Sequence, residues 1–137
     1  MNEVNDYKSF KSLIRWEDKY LFGICKLIDE LIDVGEVQYI YPKNWVNPSK
    51  DFQLLMITEN SIYIGNIASG IISLSSYSRS QIRTILISKV TEYHYKLNIY
   101  FDDKNSLELS NIDDSNENWQ GSYLEYIKDI FKILNRP

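Results

Sequence analysis

The chain has 137 residues, of which 44% are hydrophobic and 25% are charged, values typical of one globular domain. Its formal net charge of −4 argues against binding to nucleic acid or anionic lipid through a uniformly basic surface. The one cysteine, Cys25, cannot form an internal disulfide, and no secretory leader or bilayer-spanning run is evident, so we expect a cytoplasmic protein.

The first third of the chain has helical periodicity. From Tyr7 to Val34, apolar residues recur every three or four positions on one broad face. Glu17 interrupts this face, which predicts a short helix, a break near Arg15–Asp18 and then a longer helix. Gly35 is expected to end the second helix, so that residues 7–34 form an N-terminal helical segment.

After Gly35 the period changes to that of β-strands. Seven strand-like runs follow, and the short turns between them demand antiparallel pairing of consecutive strands. The runs are Val37–Tyr41, Phe52–Thr58, Ser61–Ile67, Ile71–Tyr77, Gln81–Tyr93, Tyr95–Phe101 and Leu107–Ile112. Residues 36–112 are therefore expected to bend into two packed antiparallel sheets or a partly open barrel.

The strand-like runs differ in how many of their faces should be buried. Leu97, Ile99 and Phe101 alternate with polar residues, which predicts one solvated face. Phe52–Ile57 and Ile82–Val90 are apolar at both parities, which predicts strands covered on both faces. The amphipathic N-terminal helical segment is the expected cover for the second face.

The last segment, residues 116–135, is helical again. Its apolar residues recur at helical spacing and should cap the β-structure; they are Trp119, Tyr123, Ile127, Ile130 and Leu134. No repeat or linker divides the chain, so residues 1–137 are expected to form a single α+β domain.

This order of elements resembles the pleckstrin-homology (PH) superfold, in particular the small bacterial PH-like and GRAM-like domains. The resemblance covers roughly Glu36 to Leu134 and is carried by the hairpin Leu55–Ile64, the polar turn Tyr77–Ile85 and the strand pair Leu97–Leu109. It implies a seven-stranded antiparallel sheet capped by the C-terminal helix, to which the N-terminal helix is an addition. The chain is also similar to a set of small Bacillus-type proteins with no assigned activity.

The resemblance also bears on lipid binding. PH domains that bind phosphoinositides carry a lysine followed by a Lys/Arg-x-Arg pattern across their first two strands. This chain offers only Lys43 and Lys50 in that stretch, and Phe52–Ile57 contains no basic residue. Phosphoinositide binding by the usual route is therefore not expected.

No constellation typical of catalysis or metal binding stands out in the sequence. His94, the only histidine, is expected in a turn, and Cys25 is expected to be a small buried hydrophobe. Asp114–Asn118 approaches a calcium-loop pattern, but Trp119 stands where that loop needs glycine, so turn and cap roles are expected instead. We therefore expect no enzymatic activity, no cofactor and no metal.

The first candidate for an interaction surface is a sector of the N-terminal helical segment opposite its apolar face. It carries five basic residues, hereafter the basic stripe: Lys8, Lys11, Arg15, Lys19 and Lys26. The stripe is either the solvated face of an amphipathic helix or a surface that attracts an acidic partner or an anionic membrane.

Two further features remain open from the sequence alone. Trp45, in the loop Pro42–Pro48, either anchors a partner or folds back over the end of the β-structure. The serine-rich run Ser73–Ser80 either receives a peptide edge-on or protects the sheet edge from such pairing.

The sequence thus favours a non-enzymatic binding or scaffolding module that contacts a protein or peptide, alone or as a homo-oligomer. The alternatives are peripheral membrane association through the basic stripe, and an acidic immunity or antitoxin protein that neutralises a basic toxin. No nucleic-acid partner is expected.

Overall fold

The computed structural model describes residues 4–15, 17–47 and 50–136. Within these ranges, two helices precede seven strands and a third helix follows them. The helices α1, α2 and α3 span Tyr7–Ser12, Lys19–Leu31 and Gln120–Leu134. The strands β1 to β7 span Tyr39–Lys43, Phe52–Ile57, Ser61–Ala68, Ile71–Ser78, Thr84–Thr91, His94–Tyr100 and Ser106–Ser110.

The predicted break in the N-terminal helical segment is confirmed, because each of its two helices has its own N-cap. The Asp6 carboxylate accepts a hydrogen bond from the Ser9 amide, and the Asp18 carboxylate accepts one from the Leu21 amide, both at 3.1 Å. Such caps satisfy amide groups that have no partner within the helix. Asp18 therefore starts a second, separate helix.

The predicted end of α2 is wrong by several residues. The helix ends at Leu31, and Ile32 continues in an extended conformation that buries its side chain in the core. Gly35 lies in a short 3₁₀ turn, Val34–Glu36, rather than at a helix end. The helix thus ends where Ile32 enters the core, four residues before the glycine that was predicted to end it.

The predicted fold class, α+β with seven antiparallel strands, is confirmed. The strands form two sheets, with the orders β1-β2-β3-β4 and β5-β6-β7, and these are not closed into a barrel. Consecutive pairing fails at one connection, because β4 and β5 belong to different sheets. A 3₁₀ turn at Arg79–Gln81 redirects the chain there, and the Ser78 amide donates to Oε1 of Gln81 at 2.7 Å.

The four-stranded sheet is covered by the N-terminal helices on one face. Phe52 and Leu54 share this face with Gly65, because Leu54 and Gly65 are cross-strand partners. Phe10 of α1 stacks on Phe52 with ring centroids 6.0 Å apart, and Ile24 of α2 lies against Gly65. The predicted burial of Phe52–Ile57 on both faces, with the N-terminal segment as cover, is confirmed.

The opposite face of the four-stranded sheet packs on α3 and on the second sheet. Tyr41 of β1 meets Tyr123 of α3 with centroids 5.0 Å apart, and Tyr77 of β4 stacks on Phe101 at 3.9 Å. The molecule therefore has the N-terminal helices as one layer, the four-stranded sheet as the middle layer, and the three-stranded sheet with α3 as the third.

The prediction that Ile82–Val90 is covered on both faces is wrong. Leu86 and Val90 of β5 are exposed, because no described element covers the outer face of the three-stranded sheet. The alternation of Leu97, Ile99 and Phe101 is confirmed, since all three are buried and the polar residues between them are not.

Two predicted element boundaries also change. Strand β1 begins at Tyr39 and includes Pro42. Proline has no N–H to donate, and an edge strand tolerates it because backbone positions on the outer side of the strand need no partner strand. Helix α3 begins at Gln120 rather than near residue 116. Among the described residues, no helix is both long enough and apolar enough to cross a bilayer.

Candidate functional site

A surface cleft of about 380 Å³ opens between α1 and α2. Six residues line it: Lys11, Ile14, Phe22, Cys25, Lys26 and Asp29. Phe22 is 53% exposed, and Ile14 is half-buried, so the cleft presents apolar surface to solvent between charged groups. A concave, partly apolar surface with a few charged groups is typical of a binding site.

Polar contacts between α1 and α2 fix the walls of this cleft. The Tyr7 hydroxyl donates to Oδ1 of Asp29 at 2.8 Å and to the Cys25 carbonyl at 3.2 Å. The Lys11 ammonium forms an ion pair with Oδ2 of Asp29 at 2.5 Å. One aspartate of α2 therefore holds two side chains of α1.

Two groups at this contact, Tyr7 and Lys11, keep one protonation state near neutral pH. Burial and the hydrogen bond to Asp29 raise the pKa of the Tyr7 hydroxyl far above its usual value. The hydrogen bond to Asp29 also raises the pKa of Lys11. The tyrosine therefore stays neutral and the lysine stays charged near neutral pH.

Cys25 is one of the residues that line the cleft, and its predicted burial is confirmed. Burial raises the pKa of its thiol, which keeps the sulfur protonated at neutral pH. The thiol is therefore a packing group in this site and not an activated nucleophile.

The structure divides the basic stripe between two helices and brings part of it to the cleft. Lys11 and Lys26 line the cleft, and Arg15 and Lys19 line a separate, shallow depression together with Glu17, Asp18 and Tyr20. Lys8 lies exposed on α1. Only Lys11 of the five forms an ion pair within residues 4–15, 17–47 and 50–136. The stripe is thus a set of exposed basic residues, of which Lys11 and Lys26 line the cleft.

Trp45 lies apart from the cleft. Its ring makes edge-on contacts with Phe10 of α1 at 5.5 Å and with Trp119, the residue before α3, at 5.6 Å between centroids. It therefore folds back onto the protein and joins the first and third layers, which was one of the two roles that the sequence left open.

A buried polar cluster around Asp114 was not recognised from the sequence. Asp114 is only 2% exposed, and its Oδ2 accepts hydrogen bonds from the Tyr41 hydroxyl at 2.8 Å and from the Ser110 amide at 2.7 Å. The Lys43 ammonium lies 3.5 Å from Oδ1. Burial raises the pKa of Asp114, although Lys43 and the hydrogen bonds oppose the increase. Asp114 is thus a structural carboxylate: it lies in the turn after β7, as expected, but it is buried rather than solvated.

The sequence predicted that His94 lies in a turn, and this prediction is wrong. His94 is the first residue of β6. Its Nε2 is 3.0 Å from the Ser110 hydroxyl, which also accepts a hydrogen bond from the Asp113 amide. The buried Ser110 hydroxyl and the His94 ring thus link β6 to β7. In the part of the chain that the structure describes, no three His, Cys, Asp or Glu side chains converge as metal ligands.

Fold and site together define a small, three-layered α+β domain with a partly apolar cleft, lined by two lysines and one aspartate, between its first two helices. Over residues 1–125 the chain matches the model of a family described as "Protein of unknown function (DUF3908)", and it belongs to that family. No curated protein and no solved structure matches the chain.

Proposed function

We propose that this protein is a non-enzymatic binding module whose cleft between α1 and α2 accepts an acidic segment of a protein partner. The composition of the cleft carries the proposal. An exposed aromatic ring, Phe22, lies in the same cleft as Lys26, which has no ion pair among the described residues. A segment that places a carboxylate beside an apolar side chain would satisfy both groups.

The distribution of charge supports an acidic partner. Five basic and four acidic residues lie between Tyr7 and Leu31, whereas the whole chain has a net charge of −4. The N-terminal helical segment is therefore slightly positive on an acidic protein, and its basic residues form the basic stripe. Such a surface attracts and orients a negatively charged partner during encounter.

The scaffold that presents the cleft is proposed to be PH-like. Support comes from the division of seven antiparallel strands into sheets of four and three, and from the helix that follows β7 and packs against them. In this proposal the helices α1 and α2 are an added element on the outer face of the first sheet, and the cleft belongs to that addition.

The test uses the full chain and peptides selected on it from a random phage-displayed library. Selected peptides are expected to combine acidic residues with an apolar one. Phe22→Ser/Lys26→Glu should weaken their binding at least about tenfold, because it removes the apolar contact and reverses the charge. Leu86→Ser/Lys104→Glu makes the same changes at exposed positions in the second sheet and the turn after β6, and should leave binding unchanged.

Three results would contradict the proposal. The first is selection of peptides that contain no acidic residue. The second is an equal loss of peptide binding in both double variants. The third is flotation of the chain with phosphatidylserine vesicles that is lost in Lys8→Glu/Arg15→Glu. The last result would assign the basic stripe to a membrane, although Trp45 does not support that role because its ring is packed. An immunity or antitoxin role against a basic toxin would use the acidic remainder of the surface instead.

A further inference from the structure

A separate cavity of about 290 Å³ lies where the start of α2 meets the end of β1, the start of β2 and the end of β3. It shares no lining residue with the cleft between α1 and α2, so it does not depend on the proposed function. Its wall includes two carboxylates, Asp18 and Asp51, and two aromatic side chains, Tyr20 and Trp45. Acidic and aromatic groups in one concave surface are typical of a site for an organic cation.

Asn44, which follows β1 and also lines this cavity, carries a buried oxygen without a partner. The residue is only 8% exposed, and its Nδ2 donates to the Asp51 carbonyl at 2.9 Å. This bond fixes the orientation of the amide, because only its NH₂ end can face a carbonyl oxygen. Oδ1 of Asn44 then has no hydrogen bond, and no other buried side-chain nitrogen or oxygen among the described residues shares that state. Since buried acceptors are normally paired, this oxygen favours a ligand that donates to it.

The two carboxylates beside Asn44 have no cation of their own. Asp18 accepts the Leu21 amide through Oδ1, and neither Asp18 nor Asp51 forms an ion pair within residues 4–15, 17–47 and 50–136. Lys50 also lines the cavity, but its ammonium donates to the Asp113 carbonyl at 2.8 Å. The negative charges therefore exceed the positive charge in the wall, which favours a positively charged ligand.

The aromatic part of the wall favours an organic cation over a metal ion. Tyr20 is 49% exposed and Trp45 is half-buried, so both keep surface open to a ligand. Aromatic rings attract organic cations through their negative faces. A metal ion held by oxygen atoms needs about six ligands, and no three His, Cys, Asp or Glu side chains converge in the part of the chain that the structure describes.

We propose that this cavity binds a guanidinium group. A guanidinium has five N–H donors in one plane, so it can donate to Oδ1 of Asn44 and to the carboxylates of Asp18 and Asp51 together. It is also more weakly hydrated than an ammonium and stacks on aromatic rings, which suits a partly apolar wall. Because Oδ1 lies below the cavity surface, binding also shifts the side chains that cover it. The group belongs either to a free small molecule or to an arginine side chain of a protein.

NMR titration of the isotopically labelled full chain tests the proposal and separates the two sources. The ligands are methylguanidinium chloride and the peptide acetyl-Gly-Gly-Arg-Gly-Gly-amide, and both should shift the signals of the Asn44 side-chain amide and the Trp45 indole N–H. The arginine peptide should bind at least about threefold more tightly than the same peptide with lysine. Tighter binding of the arginine peptide than of methylguanidinium supports a protein side chain as the source, and the reverse order supports a small molecule.

Matched variants assign the binding to the cavity. Asp18→Asn/Asp51→Asn removes both charges and keeps a good helix cap, so it should weaken binding at least about tenfold. Asp33→Asn/Asp103→Asn makes the same changes at exposed positions outside the cavity and should bind like wild type. Asn44→Gly removes the acceptor, tolerates the φ of 67° at this position and should also weaken binding.

Circular dichroism checks that each variant stays folded, and the comparison of the arginine and lysine peptides on the wild-type chain needs no variant. Four results would overturn the proposal. The first is the absence of shifts at Asn44 and Trp45, and the second is shifts of equal size with sodium chloride. The third is equal binding of the arginine and lysine peptides, and the fourth is an equal loss of binding in the two aspartate double variants.

Discussion

Asp114 shows at the scale of one residue how the interior of this protein tolerates a carboxylate. Its Oδ2 accepts hydrogen bonds from a buried hydroxyl and a buried amide. Asp114→Ala would remove the acceptor of the Ser110 amide and leave the Tyr41 hydroxyl only the Ser110 carbonyl at 3.4 Å, and it should lower the free energy of unfolding by about 3–5 kcal/mol. Urea denaturation measures the change. Asp113→Ala, at the exposed neighbouring position, should change it by less than about 0.5 kcal/mol.

The same carboxyl group predicts a pH dependence. Burial raises the pKa of Asp114 in the folded state above the ordinary value of 3.8, so the folded protein holds this proton more tightly than the unfolded chain. Its contribution to stability is therefore largest below pH 3.8 and falls as the pH rises through the folded pKa. The free energy of unfolding of wild type relative to Asp114→Asn should decrease over that range. An increase instead would mean that Lys43 and the hydrogen bonds outweigh burial.

At the scale of elements, the packing of α2 on β3 depends on one position without a side chain. A Cβ at Gly65 would lie 2.7 Å from Cδ1 of Ile24, whose side chain is fully buried. Gly65→Ala should therefore lower the free energy of unfolding by about 1–3 kcal/mol through overpacking. Gly121→Ala is the matched control, because nothing lies within 4 Å of the added methyl group and alanine favours helix α3. Thermal unfolding of both variants makes the comparison, and equal effects would contradict it.

Elements with a strong local pattern were predictable from the sequence. The break near Glu17 and the alternation of Leu97, Ile99 and Phe101 are local features, and both are confirmed. The double-sided burial of Ile82–Val90 was wrong because composition does not reveal whether a layer exists to cover a strand. Similarly, β4 and β5 are separated by a turn as short as a hairpin's, yet they join different sheets.

For the molecule as a whole, Arg79 links parts that are far apart in the chain. Its guanidinium donates to the carbonyls of Thr58 and Glu59 after β2, and to the carbonyl of Ile133 near the end of α3. Arg79→Ala should lower the free energy of unfolding by about 1.5–3 kcal/mol, since these are charge-assisted hydrogen bonds to backbone groups.

Arg83 offers a control for the hydrogen bonds of Arg79. It forms one ion pair with Asp103, and both side chains are largely exposed. Such surface pairs contribute about 0–1 kcal/mol, so Arg83→Ala should change stability little. Chemical denaturation measures the free energy of unfolding of Arg79→Ala and of Arg83→Ala and compares the two losses. Equal losses would contradict a special role for Arg79.

The candidate site was only partly accessible from the sequence, because its parts are assembled over long distances. Helical projection found the basic stripe, but the cleft depends on the angle between α1 and α2, which the Tyr7–Asp29 and Lys11–Asp29 contacts set. The Asp114 cluster joins β1 to the end of β7, and no spacing of residues along the chain predicts that contact. Pairings of this kind need the fold to be known first.

The position of Trp45 gives the protein a built-in optical probe. Its indole ring bridges Phe10 and Trp119, so it connects the N-terminal helices to the start of the last helix. Coupled aromatic rings in a fixed geometry produce near-ultraviolet circular dichroism, and this signal disappears when their relative orientation is lost. Detachment of α1 would therefore be visible optically while the amide signal of both sheets remained intact.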